Sequence, residues 1–333
     1  MAFDWSYPAF FYAPHGTLCN FYHIAREGVF TTERTREQNV LYYVVPTVLS
    51  SCCFFLFTVV DGVFVGRGVN ADALGAVNIA FPFIMLANAF NMLVTIGGVT
   101  ITAIRLGRGD TGGANQSFVH SLSGVAVIAA LLCFTGVCFT GPLARLLGAN
   151  DAYFKYVRDY LFWDTAFFIP AQIGMALQGF CRNDGSPRLV AAATIVSTLT
   201  NIFLDWLFIF PLQKGVAGAA VATGISQTIS LCIIVTHFIR KKGVLRFHAF
   251  LPDFSLWRKI AFRGLPEMAA QFSTPVTIFC MNYALLANFG GGAVNGFSII
   301  NYVASFSSMI FFGVSDGLQP LFGQSYGAKN EKN

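Results

Sequence analysis

Long apolar runs, broken at short intervals by polar turns, fill the chain from residue 41 onward. Eight of them reach the roughly 20 mainly apolar residues that a spanning helix needs. They cover 41–66, 74–104, 117–140, 157–181, 188–212, 216–239, 264–289 and 294–324. The polar breaks between them, such as 66–72, 105–115 and 182–188, are short. The longest, 240–263, carries Trp257 and seven basic residues and reads as an amphipathic connector at the membrane surface. Barrel strands would show short alternating segments, and these runs do not, so helices are the only way to satisfy their backbone in hydrocarbon. The pattern predicts an all-α, polytopic transmembrane helical bundle. Residues 1–40 form a cytoplasmic lead-in, 41–240 an N-lobe of transmembrane helices 1–6, 241–263 the connector, and 264–333 helices 7 and 8, the start of a second lobe.

Composition supports a bilayer as the solvent. Of 333 residues, 55% are hydrophobic and 11% charged, with 36 Phe. A soluble domain carries about 25% charged residues to cover its surface. The net charge of +5 does not call for nucleic acid, because it is explained by where the basic residues fall. With the N-terminus inside, 16 of the 21 Lys and Arg lie on inner segments and 5 on outer ones. That bias predicts a multi-pass protein of the plasma membrane with both termini cytoplasmic. The 8 cysteines show no metal-ligand spacing and read as small buried apolar residues. The five histidines are scattered, and no His–Glu pair has ligand spacing, which argues against an enzyme or a resident metal. Residues 1–40 show no ordered signal peptide, since Pro8, Pro14 and Gly16 break them.

The chain resembles itself at a spacing of 220 residues. Pro46 matches Pro266, Gly97 matches Gly317, and Gly107 matches Gly327. Six spans separate the copies, so both have the same orientation in the membrane. Parallel repeats about an axis along the membrane normal are a transporter architecture. On this reading the second unit stops after two of six helices, and about 110 residues of a full repeat are absent.

Ionisable groups inside the bilayer are functional candidates by default. Asp61 lies in the first span, and Asn201 and Asp205 share one face of the fifth, four residues apart. Thr223 opens the sixth span within a run of small residues. At 1.5 Å per residue, Asp61 sits about 8 Å, and Asp205 and Thr223 about 13 Å, from the outer loops. Two carboxylates, an amide and a hydroxyl at similar depth suit either a small cation with oxygen ligands or a shared proton. The competing reading is that each polar group bonds its neighbours and fixes helix packing.

At these residues the sequence resembles multidrug and toxic compound extrusion (MATE) transporters. The likeness runs from Asp61 and Gly66 through Leu74-Gly75-Ala76-Val77 and Arg105-Leu106-Gly107-Arg108-Gly109-Asp110. It continues through Arg182-Asn183-Asp184-Gly185-Ser186-Pro187, Asn201-Ile202-Phe203-Leu204-Asp205 and Gly215–Thr223 to Gln319-Pro320-Leu321 and Tyr326-Gly327-Ala328-Lys329-Asn330. The resemblance implies twelve helices in two lobes around a cavity, acting as a monomer without a cofactor. It implies export of cationic or amphiphilic solutes in exchange for H⁺ or Na⁺. Carried over by position, Asp61, Asn201, Asp205 and Thr223 form the cation-coupling site, with Asp61 the main protonatable group. Asp164 and Tyr283 are candidates for the cavity lining, and Phe81, Phe83 and Phe297 for cation–π contact with substrate. Some relatives carry a glutamate well inside the seventh helix, where this chain reads Gln271-Phe272-Ser273-Thr274-Pro275; Glu267 lies near the cytoplasmic end. The repeat partner of Asp61 is Met281, so coupling falls to the N-lobe.

Two other classes remain. A lipid-linked sugar flippase of the same superfamily needs a cationic cavity, yet the N-lobe spans hold almost no internal Lys or Arg. A truncated, non-functional remnant is the other.

Overall fold

A long apolar run in lipid has no solvent for its peptide groups, so each N–H turns to the carbonyl four residues back. The structure, a computed structural model, describes residues 40–69, 71–289 and 291–328. Among the described residues are ten helices and no strand, which is the all-α class that the apolar pattern predicts. They are α1 Val40–Gly68, α2 Ala71–Gly107, α3 Thr111–Cys138, α4 Thr140–Leu146 and α5 Asp151–Ala166. The remainder are α6 Phe168–Asn183, α7 Pro187–Ile209, α8 Gly215–Ile239, α9 Phe254–Phe289 and α10 Gly291–Gly327. Five of these, α1, α2, α3, α7 and α8, are each long and apolar enough to cross a membrane. Leu131, Phe134, Leu199 and Phe311 stand more than half exposed on the outer faces of the bundle, as lipid-facing side chains do. The lead-in, 1–39, lies outside the described residues.

Three details differ from the hydropathy reading. The fourth span, expected as one helix over 157–181, is two helices of 16 residues joined at Phe167. The connector expected over 241–263 is extended only to 253, and its remainder forms the first turns of α9. Only Cys181 of the seven described cysteines is buried, while Cys138, Cys232 and Cys280 are exposed; in lipid an exposed thiol is still in an apolar medium.

The rim that gathers the C-terminal ends of α2, α6 and α8 carries most of the basic loops and is called the basic rim below. Its turns follow from local chemistry. Gly109 (φ +76°) takes the left-handed conformation after α2, and the Asp110 carboxylate caps α3 by accepting from the Gly113 N–H at 2.8 Å. Gly185 (φ +89°) plays the same part after α6, and Pro187 opens α7 where no N–H is needed.

The 220-residue repeat has a physical counterpart in how the two copies meet. α1 packs along α10 and α2 along α9; a two-fold that exchanges α1 with α9 and α2 with α10 swaps these two interfaces. The same pairing holds residue by residue. A Cβ placed on Gly97 would come within 3.0 Å of the Gly264 backbone nitrogen, and one on Gly317 within 2.9 Å of the Val44 Cα. Subtracting or adding 220 turns one contact into the other. At the axis itself, a Cβ on Gly107 would collide with the Gln324 carbonyl and one on Gly327 with the Ile104 carbonyl, again the same contact seen from both copies. Small residues let helix backbones approach where no hydrophobic force drives them together in lipid. Around this seam, the Gln324 amide donates to the Asn183 carbonyl at 3.0 Å, and Arg182 pairs with Asp316 at 3.5 Å.

Gly107→Val and Gly327→Val should each destabilise the chain by about 1–3 kcal/mol through overpacking. Because both act on one crossing, the double variant should lose clearly less than the sum. Thermal unfolding of the purified chain in one detergent checks this, and full additivity would rule out a shared crossing.

Candidate functional site

Four helices wall the site. α1 carries Asp61, α5 carries Tyr160 and Asp164, α7 carries Asn201 and Asp205, and α8 carries Thr223. α7 packs against both α1 and α8, and α8 also packs against α5. Spacing of four residues puts Tyr160 and Asp164 on one face of α5 and Asn201 and Asp205 on one face of α7, so each helix turns a pair toward the bundle interior. Asn201 and Asp205 are fully buried. The Asn201 amide donates to the Thr223 hydroxyl over 3.4 Å, which links α7 to α8.

Asp61 is the hub. It lies close enough to both Asp164 and Asp205 for their charges to act on one another, and Tyr160 is within reach of all three. Lys155 and Arg158 stand in the first turns of α5, Arg67 in the last turn of α1 and Arg188 in the first turn of α7, all toward the helix ends. Arg158 reaches its exposed neighbour Asp159 at 3.0 Å. Five buried oxygens have no hydrogen bond of ordinary geometry among the described residues: Asp61 Oδ1, Asp164 Oδ2, Asn201 Oδ1 and both carboxylate oxygens of Asp205, which has the Asn201 side chain as a polar neighbour.

That lack of partners is not general to the polar groups of this bundle. Between α2 and α6, the Asn91 amide donates to the Gln172 side-chain oxygen at 2.6 Å and to its carbonyl at 2.9 Å. Gln172 in turn donates to Asn88 at 3.1 Å, and Thr95 donates to Asn91 at 2.7 Å. At the basic rim, the Asp184 carboxylate faces His237 Nε2 at 2.9 Å and accepts from the Val244 and Leu245 N–H groups at 2.7 and 3.2 Å. The Asp184 side chain is only 2% exposed and is fully bonded. Buried polar groups in folded proteins are nearly always bonded, so an unbonded cluster needs an explanation of its own.

The break in the fourth span belongs to the same neighbourhood. Pro170 has no N–H for the Ala166 carbonyl, so the ladder cannot run through, and Phe167 is left between α5 and α6. The Phe167 N–H instead reaches the Asp164 carbonyl at 3.2 Å. Its ring lies on Gly224 of α8, where any side chain would collide with it, immediately after Thr223. Interrupted helices at membrane depth are typical of transporter binding sites.

Of the residues singled out from sequence, Asp61, Asn201, Asp205 and Thr223 come together, and Asp164 joins them rather than standing apart. Tyr160 was missed, although its spacing of four from Asp164 was available. Phe83 is buried and stacked on Phe168 at 6.0 Å, which makes it a packing residue rather than a substrate contact. Phe81 is exposed, and Phe297 is half-buried. The Tyr283 side chain lies outside the described residues. Near the start of α9, the Gln271 amide donates to Glu267 at 3.3 Å.

The MatE family model matches residues 46–207, the stretch that carries Asp61, Asp164, Asn201 and Asp205. Multidrug export protein MepA of Staphylococcus haemolyticus is 27% identical over 293 residues, which is 86% of this chain and 64% of the relative. MepA of Staphylococcus saprophyticus is 24% identical over 312 residues, 92% of this chain and 66% of the relative. Over these stretches the chain is similar to MATE-family proteins. A crystal structure of a MATE protein in complex with MaD3S shares the fold with a TM-score of 0.83 at 23% identity, covering 88% of this chain and 67% of that one. The chain thus spans just under two thirds of the length of the curated relatives it matches.

Two buried aspartates should respond oppositely to substitution. Asp205→Asn removes a charge that has no protein partner, so the thermal midpoint of the purified chain should stay or rise. Asp184→Ala strips three bonded groups of their acceptor and should cost about 3–5 kcal/mol. A large loss of stability in Asp205→Asn would mean that its carboxylate is structural.

Proposed function

We propose that this chain works as part of a secondary active exporter of organic cations or other amphiphilic solutes, driven by inward movement of H⁺ or Na⁺. The observation that carries this reading is the set of unbonded buried oxygens on Asp61, Asn201 and Asp205 beside the Thr223 hydroxyl. Oxygen donors without nitrogen or sulfur suit a hard cation or a proton. Two neighbouring carboxylates in low dielectric also disfavour being ionised together, so an arriving positive charge is stabilised. The two staphylococcal relatives, multidrug export proteins by name, support this direction and class of cargo.

The coupling follows from what α1 touches. Loading the site neutralises Asp61 against Asp205 and lets α1 draw in on α7. α1 also runs along α10 at the seam between the repeats, so the same shift loosens or tightens the lobe contact. Release of cargo on one side then follows from rocking of the lobes, with the ion supplying the free-energy difference between the two states. The bias of basic residues supports both termini in the cytoplasm, and on this reading the protein acts as a monomer in the plasma membrane.

Ethidium efflux from cells expressing the chain, alone and extended by the last four helices of the S. haemolyticus relative, tests the reading. The extended form should export under an imposed H⁺ or Na⁺ gradient, and Asp61→Asn in it should reduce export about tenfold or more. Export that persists in Asp61→Asn with unchanged ion dependence would remove the coupling role. Absence of export in every form would leave the flippase as the leading alternative.

A further inference from the structure

The fifth helix brings a third carboxylate to the site, and a single ion does not account for it. Asp61 lies within electrostatic reach of two carboxylates, Asp205 from α7 and Asp164 from α5. The described residues contain no group of three His, Cys, Asp or Glu side chains gathered tightly enough to hold one metal ion. One ion is therefore not shared by all three carboxylates. Asp164 Oδ2 is buried without a hydrogen-bond partner among the described residues, and Asp205 is fully buried.

The surroundings of Asp164 supply no countercharge. On its own helix the nearest ionisable neighbour is Tyr160, an oxygen acid. α1 contributes Asp61, with Arg67 in its last turn and Cys52 and Cys53 more than two turns before Asp61. α2, packed on α5, has its charges at its two ends, Asp72 and Arg105, and Arg105 is held by the Gly113 carbonyl and Ser117 hydroxyl at 2.6 and 2.8 Å. α3 contributes Cys133, Cys138 and His120, and the last is tied to the Gln116 carbonyl and the Asp253 N–H at the basic rim. α4 offers Arg145, which is paired with the exposed Asp151. α6 has Cys181 and Arg182 in its last turn, and α8 has His237, which is committed to Asp184. Every group facing Asp164 at its depth is an acid or neutral.

We propose that Asp164 is a second coupling carboxylate, so that the pocket takes up two positive charges rather than one between its empty and loaded states. One charge settles between Asp61 and Asp205, with Asn201 and Thr223; the other is a proton held on Asp164 beside Tyr160. The Phe167 break gives Asp164 its means of action: it sits three residues before the point where α5 can tilt against α6, and Phe167 bears on Gly224 next to Thr223. Protonation on the α5 side is thereby felt at the α8 wall of the ion site. This inference rests on the ion-coupled reading above and adds a residue and a count to it.

The test is proton uptake by the full chain in phosphatidylcholine nanodiscs, titrated between alkaline and acidic pH and followed by the carboxylic C=O stretch in infrared difference spectra. Asp164→Asn should take up one proton fewer than the parent and lose one C=O band, and Asp164→Glu should keep the count and move that band. An unchanged count in Asp164→Asn, or a band that Asp164→Glu does not move, overturns the proposal, because Asp164 would then hold one protonation state throughout. Asp61→Asn and Asp205→Asn separate this from the broader reading. If they alter the spectra and Asp164→Asn does not, only the second charge fails. If none of the three alters them, the ion-coupling site fails as a whole.

Discussion

In hydrocarbon a peptide group that loses its partner within the helix finds no water to replace it. This constraint fixes where the chain is free to depart from helix. The turns after α1, α2, α6, α7 and α8 all lie at the rims, where water or a side chain meets the open backbone groups. Among the described residues Phe167 interrupts a span within its length, and it does so beside a cluster of carboxylates and an amide whose oxygens are left unbonded. A proline in the first turn of α6 is enough to cause the break. Its position places a soft joint between two helices that would otherwise pass the site as a single rigid rod.

The polar residues of the bundle fall into two kinds. Asn91, Gln172, Asn88 and Thr95 satisfy one another across α2 and α6, and Asp184 ties the α6–α7 turn to His237 and the chain after α8. These groups hold helices in register and stay bonded. Asp61, Asp164 and Asp205 lack such bonds across helices, and Asn201 keeps its Oδ1 unbonded while its amide reaches Thr223. Unbonded buried acids weaken a fold unless a binding partner offsets the loss, and sites of function are where proteins keep such weaknesses.

Most of the architecture was legible in the sequence because lipid imposes a simple length rule on apolar runs. Hydropathy found the spans, and the period of Pro and Gly found the repeat. Hydropathy is blind to the Phe167 break, since Pro170 within an apolar run barely changes its mean. It also misplaced the start of α9, because residues 254–263 are too polar to cross lipid yet helical all the same. In the site, Asp61, Asn201, Asp205 and Thr223 were singled out together by depth. Asp164 was seen only as a wall residue, because which of several faces of α5 turns inward depends on packing against α8. The glycines of the seam were visible one by one, but their mutual pairing required the two copies to be placed side by side.

The crossing of α2 and α10 at Gly107 and Gly327 has a mechanical consequence. Contact so close to the two-fold axis and so near one end of two long helices makes that end a fulcrum. α2 runs 37 residues from Ala71 to Gly107, or about 54 Å from first to last at the usual helical rise. A tilt of about ten degrees about the glycine crossing carries the far ends by roughly 9 Å over that length, while the backbones at the crossing barely separate. A lever of that ratio lets the membrane face farthest from the basic rim open widely at the expense of very little broken packing.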